Sequence, residues 1–305
     1  MVSNSKITNA LSIDVEDYWS ILSRDWLHID SEPSNAVVTN TEYFLRTLGE
    51  YGVKATFFVL GEVAEKFPSL IKKIAQDGHE IGSHGVSHKQ IFKIGEEQFR
   101  QEISESKKML EDIIGTAVKG YRAPAFSMMP KTKWALEILA QEGFEYDSSV
   151  YPTSGRRYGW PGFSKDICKV DLPNGESIIE VPMSTVTILG KTLPTAGGGY
   201  LRHFPYVITK WAIKRIQKKR PVIVYMHPYE IDVDERVFST DHLSIDERDK
   251  VVKLHKWQLR NRGSVPGKLN NLLSEFKFAP LKDVISTVLK AKTALKKVSF
   301  ANKSQ

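Results

Sequence analysis

Two histidines four residues apart, His84 and His88 in Ile81-Gly82-Ser83-His84-Gly85-Val86-Ser87-His88, are the residues of this chain best suited to chemistry. On one helical turn, positions i and i+4 face the same way, so both imidazoles can turn a ring nitrogen to one tetrahedral metal ion at about 2.0–2.1 Å. Two nitrogens do not complete a site. A carboxylate from Asp14-Val15-Glu16-Asp17, which follows an apolar run where a strand should end, is the natural third ligand. A His-x-x-x-His pair also fits two polar loop residues, one of them capping a helix. Its weight therefore comes from what stands in order around it.

These groups need elements to bring them together. Apolar, β-branched runs predict strands at Leu11–Asp14, Ala55–Leu60, His79–Ser83, Val118–Arg122, Glu145–Asp147, Ile178–Val181 and Val222–His227. Helical patterns lie between many of them, at Thr41–Tyr51, Ser69–Gln76, Glu96–Ile114 and Lys131–Gln141. Gly52, Gly78 and Gly143 fall just past helical stretches, where a C-terminal cap favours positive φ. The alternation predicts βαβ units around a parallel sheet or barrel. Titratable groups recur at strand ends: the acids after the first, His84 after the third, Arg122 at the fourth, Asp147 at the fifth, His227 at the last. In a parallel barrel those ends converge on one face, which predicts one site built from distant segments.

The 305 residues, 41% hydrophobic and 26% charged, suit one large globular domain or one domain with an extension. No apolar run approaches the roughly 18 residues that span a bilayer, and Met1-Val2-Ser3-Asn4-Ser5-Lys6 lacks the apolar core of a signal peptide. The cytoplasm is the expected compartment. Cys168 stands alone and reads as packing. Lys and Arg number 43 against 36 Asp and Glu, a net charge of +7, with the excess concentrated in Lys210–Arg220 and in the tail Lys290–Lys303. The first reads as an amphipathic helix with a basic face. A solvated face is the default for both segments, with an anionic membrane surface or a phosphate-bearing substrate as the alternative. No nucleic-acid motif accompanies the charge, so nucleic acid is not an expected partner.

The motifs, in order, are Ser12-Ile13-Asp14-Val15-Glu16-Asp17, Ala55-Thr56-Phe57-Phe58-Val59-Leu60-Gly61, Gly78-His79-Glu80-Ile81-Gly82-Ser83-His84 through His88, Tyr121-Arg122-Ala123-Pro124-Ala125-Phe126 and Val224-Tyr225-Met226-His227-Pro228. From residue 10 to about 230 the chain thereby resembles the NodB-type polysaccharide deacetylases of carbohydrate esterase family 4. Gly197-Gly198-Gly199-Tyr200-Leu201-Arg202 and Lys268-Leu269-Asn270-Asn271-Leu272-Leu273 resemble the C-terminal extension of a subgroup linked to exopolysaccharide and PEP-CTERM loci.

That resemblance implies an α/β fold, a distorted (β/α)7 barrel over residues 1–235 with a C-terminal helical extension over 236–305. It implies a divalent metal, zinc by preference, and hydrolysis of an N-acetyl group on an amino sugar of a glycan or of its lipid- or nucleotide-linked precursor. It makes Asp14 the base, His84 and His88 the metal histidines, Arg122 the holder of the base, and His227 the general acid. The chain departs from the family in two places. Val15 and Glu16 separate Asp14 from Asp17 where the family has two adjacent aspartates, so the metal carboxylate is Glu16 or Asp17. The segment that orients the acid histidine is absent, which leaves Asp147 or Glu230 for that part.

Tyr200, Arg202, Asp147 and Trp160 are candidate sugar contacts, with Tyr18, Trp19 and Trp26 as further aromatics. The expected protein is a metal-dependent carbohydrate N-deacetylase that touches the inner face of the membrane through its basic tail. A cyclic-amide hydrolase and a catalytically silent glycan-binding protein are the alternatives. A base and an acid together weigh against silence, because binding needs neither.

Overall fold

Seven consecutive buried residues, Asn9 to Val15, form β1, a strand that pairs with three others. A strand buried on both faces reads as a continuous apolar run, here broken only by Asn9, Ser12 and Asp14. The computed structural model describes residues 7–155, 158–195, 197–234, 238–291 and 295–300. The other strands are β2 (Thr56–Val59), β3 (Glu80–Ser83), β4 (Gly120–Tyr121), β5 (Tyr146–Asp147), β6 (Cys168–Asp171), β7 (Ser177–Glu180), β8 (Thr185–Ile188), β9 (Lys191–Pro194), β10 (Ile223–Met226), β11 (Phe278–Ala279) and β12 (Lys296–Ser299). The helices are α1 (Tyr18–Trp26), α2 (Ala36–Glu50), α3 (Gly61–Lys66), α4 (Pro68–Gln76), α5 (Glu96–Ile114), α6 (Trp134–Gln141), α7 (Gly198–His203), α8 (Tyr206–Ile216), α9 (Ile245–Leu259), α10 (Val265–Glu275) and α11 (Leu281–Ala291).

The main sheet runs β10-β1-β2-β3-β4-β5-β7-β6-β12, with β11 also on β1. The first seven are parallel and are the seven strands that the apolar runs predict; β6 adds antiparallel to β7. Among the described residues no ladder joins the ends of that seven-strand run. Side chains join them instead: Ile223 N donates to Ser184 Oγ (2.8 Å), and Val181 and Met183 share a buried cluster with Ile223 and Tyr225. The expected barrel is therefore distorted at the gap between β7 and β10. Alternate residues of β1 face two layers, with Leu11, Ile13 and Val15 in the core under the helices and Ala10 in the interior cluster.

The C-terminal segment is built into this barrel. β11 pairs with the start of β1. α11 then places Leu281, Val284, Ile285 and Val288 in the interior cluster and closes the end of the barrel opposite the strand C-termini. Its first N–H groups are capped from inside: Leu281 N donates to Thr56 Oγ1 (2.8 Å) and Lys282 N to Glu80 Oε2 (3.1 Å). The expected boundary at residue 235, and Lys292 and Lys303 of the basic tail, lie outside the described residues.

Candidate active site

β1 delivers the acids. Asp14 and Glu16 are two residues apart on an extended segment and share the interior face, whereas Asp17 points away. Asp14 Oδ1 accepts from Arg122 Nη1 at 2.6 Å, and both residues are buried. The Arg122 fork is held from the end of β5, with Nε on Ser148 O (3.0 Å), Nη2 on Ser148 Oγ (3.0 Å) and Nη1 also on Ser12 Oγ (2.7 Å). That leaves Asp14 Oδ2 facing His227 Nε2 at 3.9 Å.

Glu16 Oε1 lies 2.8 Å from His84 Nε2 and 3.3 Å from His88 Nε2. His84 Nδ1 lies 2.7 Å from the Arg122 carbonyl, which can only accept, so Nδ1–H donates to it and the ring is held with Nε2 toward Glu16. Nε2 and the Glu16 oxygen, 2.8 Å apart, face one another across a space that a proton or a metal ion can bridge. These three donors lie within 4.8 Å of one another, and an imidazole–imidazole–carboxylate set is one that zinc accepts, so the residues fit a divalent metal. The two histidines do not sit on a helical turn as expected. They flank a loop after β3 in which Gly85 (φ 79°) and His88 (φ 56°) are left-handed, and this bend, not helical stacking, brings the rings together.

His227 follows β10, stacks on Tyr229 (4.8 Å between centroids) and turns Nδ1 to Glu230 Oε2 at 3.4 Å. Burial would push the imidazolium down, but Glu16, Glu230 and Asp14 outweigh it and hold His227 up at about 9. Burial alone would likewise raise Glu16, yet His88, His227 and His84 hold it well below the usual carboxylate range. Glu230, lowered by His227 and Arg202 against its own burial, takes the orienting position that Asp147 was also expected to fill.

Asp14, Glu16, His84, His88 and His227 border one cavity of about 850 Å³, inside the size range of small-molecule sites. Tyr200 and Arg202 border it too, as do Tyr18 and Trp26. Three expected site residues are elsewhere. Asp17 caps α1, accepting from Ser20 N (2.9 Å) and Ser34 Oγ (2.7 Å). Asp147 is fully buried opposite Glu180 in the β5–β7 register and does not border the cavity. Trp160 stacks on Phe300 (5.3 Å) and packs against the core. Two lining residues that no motif announces are Trp257 and Gln258 from the end of α9. Only an aromatic on a weakly amphipathic helix hinted at them. The Gly197-Gly198 pair is a packing requirement: a Cβ at either would meet the Tyr225 ring at 2.1 or 2.8 Å. That close approach seats α7 against β10 and carries Tyr200 and Arg202 to the cavity.

Residues 26–146 match the family described as Polysaccharide deacetylase, and residues 148–286 the family described as Domain of unknown function (DUF3473). A peptidoglycan-N-acetylglucosamine deacetylase of Bacillus cereus is 42% identical over 98 residues, 32% of this chain and 36% of that protein. A peptidoglycan deacetylase of Helicobacter pylori is 33% identical over 106 residues, 35% of each. These matches span about a third of the relatives' length. A solved structure from Mycobacterium smegmatis, described as a candidate polysaccharide deacetylase, aligns over 97% of this chain and 96% of its own at a TM-score of 0.59 and 19% identity, a likeness of fold. The deacetylase match includes His84, His88 and Arg122 but begins after β1, and His227 falls in the second match. Two partial likenesses thus follow one another along the chain, the first to Polysaccharide deacetylase and the second to DUF3473, on a mixed α/β fold shared with the Mycobacterium smegmatis structure.

Proposed function

We propose that this protein is a metal-dependent hydrolase that removes an N-acetyl group from an amino sugar of a glycan or glycan precursor. The observation that carries the reading is the Arg122–Asp14–His227 line beside Glu16, His84 and His88 in one cavity. Glu16, His84 and His88 would hold the metal, zinc by the chemistry of the donors, and a bound divalent ion polarises an amide carbonyl and acidifies water. Asp14 Oδ2, left open by the Arg122 bond to Oδ1, takes the proton of the attacking water. Arg122 keeps that carboxylate ionised and fixed. His227, facing the same space, gives its proton to the departing amine, and Glu230 steadies the imidazolium. The Tyr18, Trp26 and Tyr200 rings at the cavity wall suit a sugar face.

Peripheral membrane contact belongs to the same proposal. α8 exposes Val207, Ile208 and Trp211 next to exposed Lys214, Arg215 and Lys218, a pairing of apolar and basic groups that an anionic surface attracts. The subgroup associated with exopolysaccharide loci is the corresponding biological setting. The deciding experiment measures metal content and acetate release from a panel of N-acetylated sugars for the parent and for His84→Ala. The parent should hold about one metal ion and release acetate, and His84→Ala should lose both. Full metal occupancy in that variant would overturn the ligand set.

A further inference from the structure

Arg202 is only 2% exposed, yet it borders the cavity. Its Nη2 donates to Gln258 Oε1 (3.0 Å), while Nε and Nη1 have no hydrogen-bond partner among the described residues. The nearest carboxylate, Glu230, is 3.9 Å from Nη1 and is already engaged, accepting from His227 N (3.1 Å) and facing His227 Nδ1. A second buried guanidinium, Arg262, also 2% exposed, lies over the Tyr18 and Tyr229 rings at 4.9 and 5.3 Å and has an unpartnered Nη2. Lys268 Nζ is tied to the carbonyls of Leu201, Arg202 and Phe204, which fixes the backbone that carries Arg202. The Arg202 guanidinium and the His227 imidazole therefore share Glu230, while Arg262, held by the carbonyls of Gln258 (2.8 Å) and Asp232 (3.1 Å), adds a second buried positive charge nearby. A buried cation short of counter-charge and of acceptors is costly, and an incoming anion relieves both.

We propose that Arg202 is the seat for an acidic group on the substrate, a carboxylate or phosphate borne by the amino sugar or by the unit linked to it. Its place fits: Glu230 faces the Arg202 guanidinium at 3.9 Å and the His227 imidazole at 3.4 Å, and both cations border the same cavity, so an acidic substituent at Arg202 is within reach of the reacting N-acetyl group. The Trp257 ring, 5.3 Å from the guanidinium, packs against the cation. This deepens the deacetylase reading by naming its substrate as acidic, and it rests on that reading only for the amino sugar, not for the seat itself.

The test is calorimetric binding to the full chain of three probes: N-acetylglucosamine, the carboxylate-bearing N-acetylmuramic acid, and N-acetylglucosamine 1-phosphate. At least one acidic probe should bind about tenfold or more tightly than the neutral sugar, with the gap narrowing as salt rises. Whichever acid binds more tightly identifies the source of the anion. Arg202→Lys should keep part of the preference, and Arg202→Met should bring the acidic probes to the level of the neutral one. If Arg202→Met does not fold, the parent and Arg202→Lys measurements still decide. Equal binding of all three probes by the parent, or an acidic preference untouched in Arg202→Met, overturns the seat. An acidic preference without acetate release from any sugar would leave the seat standing and remove the deacetylase reading.

Discussion

Glu16 and Asp17 carry the same charge one residue apart, and the pleat of β1 separates their roles. Glu16 inherits the interior parity of Asp14 and meets both histidines; Asp17 turns outward and caps α1. Glu16→Gln should therefore strip the protein of metal with little loss of fold. Asp17→Ala should keep its metal and lose about 1–2 kcal/mol of stability, the worth of a good cap. Metal content and denaturant unfolding on the two variants separate these outcomes, and the reverse pattern would make Asp17 the ligand. Asp14→Asn should hold metal and lose turnover by a factor on the order of 10²–10⁴, as removal of a positioned base does. If instead it cannot hold metal, Asp14 is a ligand and the base lies elsewhere. The residue types of this site were readable from the sequence because each stands at the end of an apolar run. Asp147 was misplaced for the same parity reason: in β5, Tyr146 takes the interior and sends its neighbour to the other face. Trp160 could not be placed at all, since its partner Phe300 is far away in the chain.

Among the elements, the seven parallel strands and the long α5 were legible because their burial is periodic or continuous over several residues. β8 and β9 form a largely exposed hairpin, β11 has two residues and β12 is an exposed edge, so none carries a pattern to read. The loop from His84 to His88 escaped because its shape depends on left-handed backbone at His88, which no side-chain periodicity encodes. α11 is the element whose role depends most on tertiary structure. Leu281 is wholly buried at its first turn, in the interior cluster to which α11 also contributes Val284, Ile285 and Val288. Leu281→Ala should cost about 2–5 kcal/mol in denaturant unfolding, as for other core truncations. A loss below about 1 kcal/mol would show that α11 is not part of the cooperative core.

At the scale of the molecule, Asp147 and Glu180 form a buried carboxyl pair whose affinity for protons is raised, chiefly by burial and, for Glu180, by its neighbour's charge. Groups raised on folding stabilise fully below the ordinary carboxylate range, near pH 4, and lose that contribution as pH climbs through the folded value, about 6 for Asp147. The melting temperature should thus fall between about pH 5 and 7.5 in the parent and fall less in Glu180→Gln; parallel curves would show that the pair does not titrate in that range. For α8, the expectation is co-sedimentation with vesicles rich in anionic lipid and not with neutral ones, lost in a Trp211→Ser, Lys214→Glu double variant. Pelleting that ignores lipid charge would point to self-association. The way β1 is partnered also bears on synthesis. Asn9 waits for a backbone partner 213 residues downstream, and Thr56 for the cap of a helix 225 residues downstream. A ribosome therefore releases the strand that carries the acids long before its second neighbour and the floor of the barrel exist. The interval in which Ala10, Phe58 and Tyr146 lack their cover is when the nascent chain is most exposed to chaperones and to aggregation.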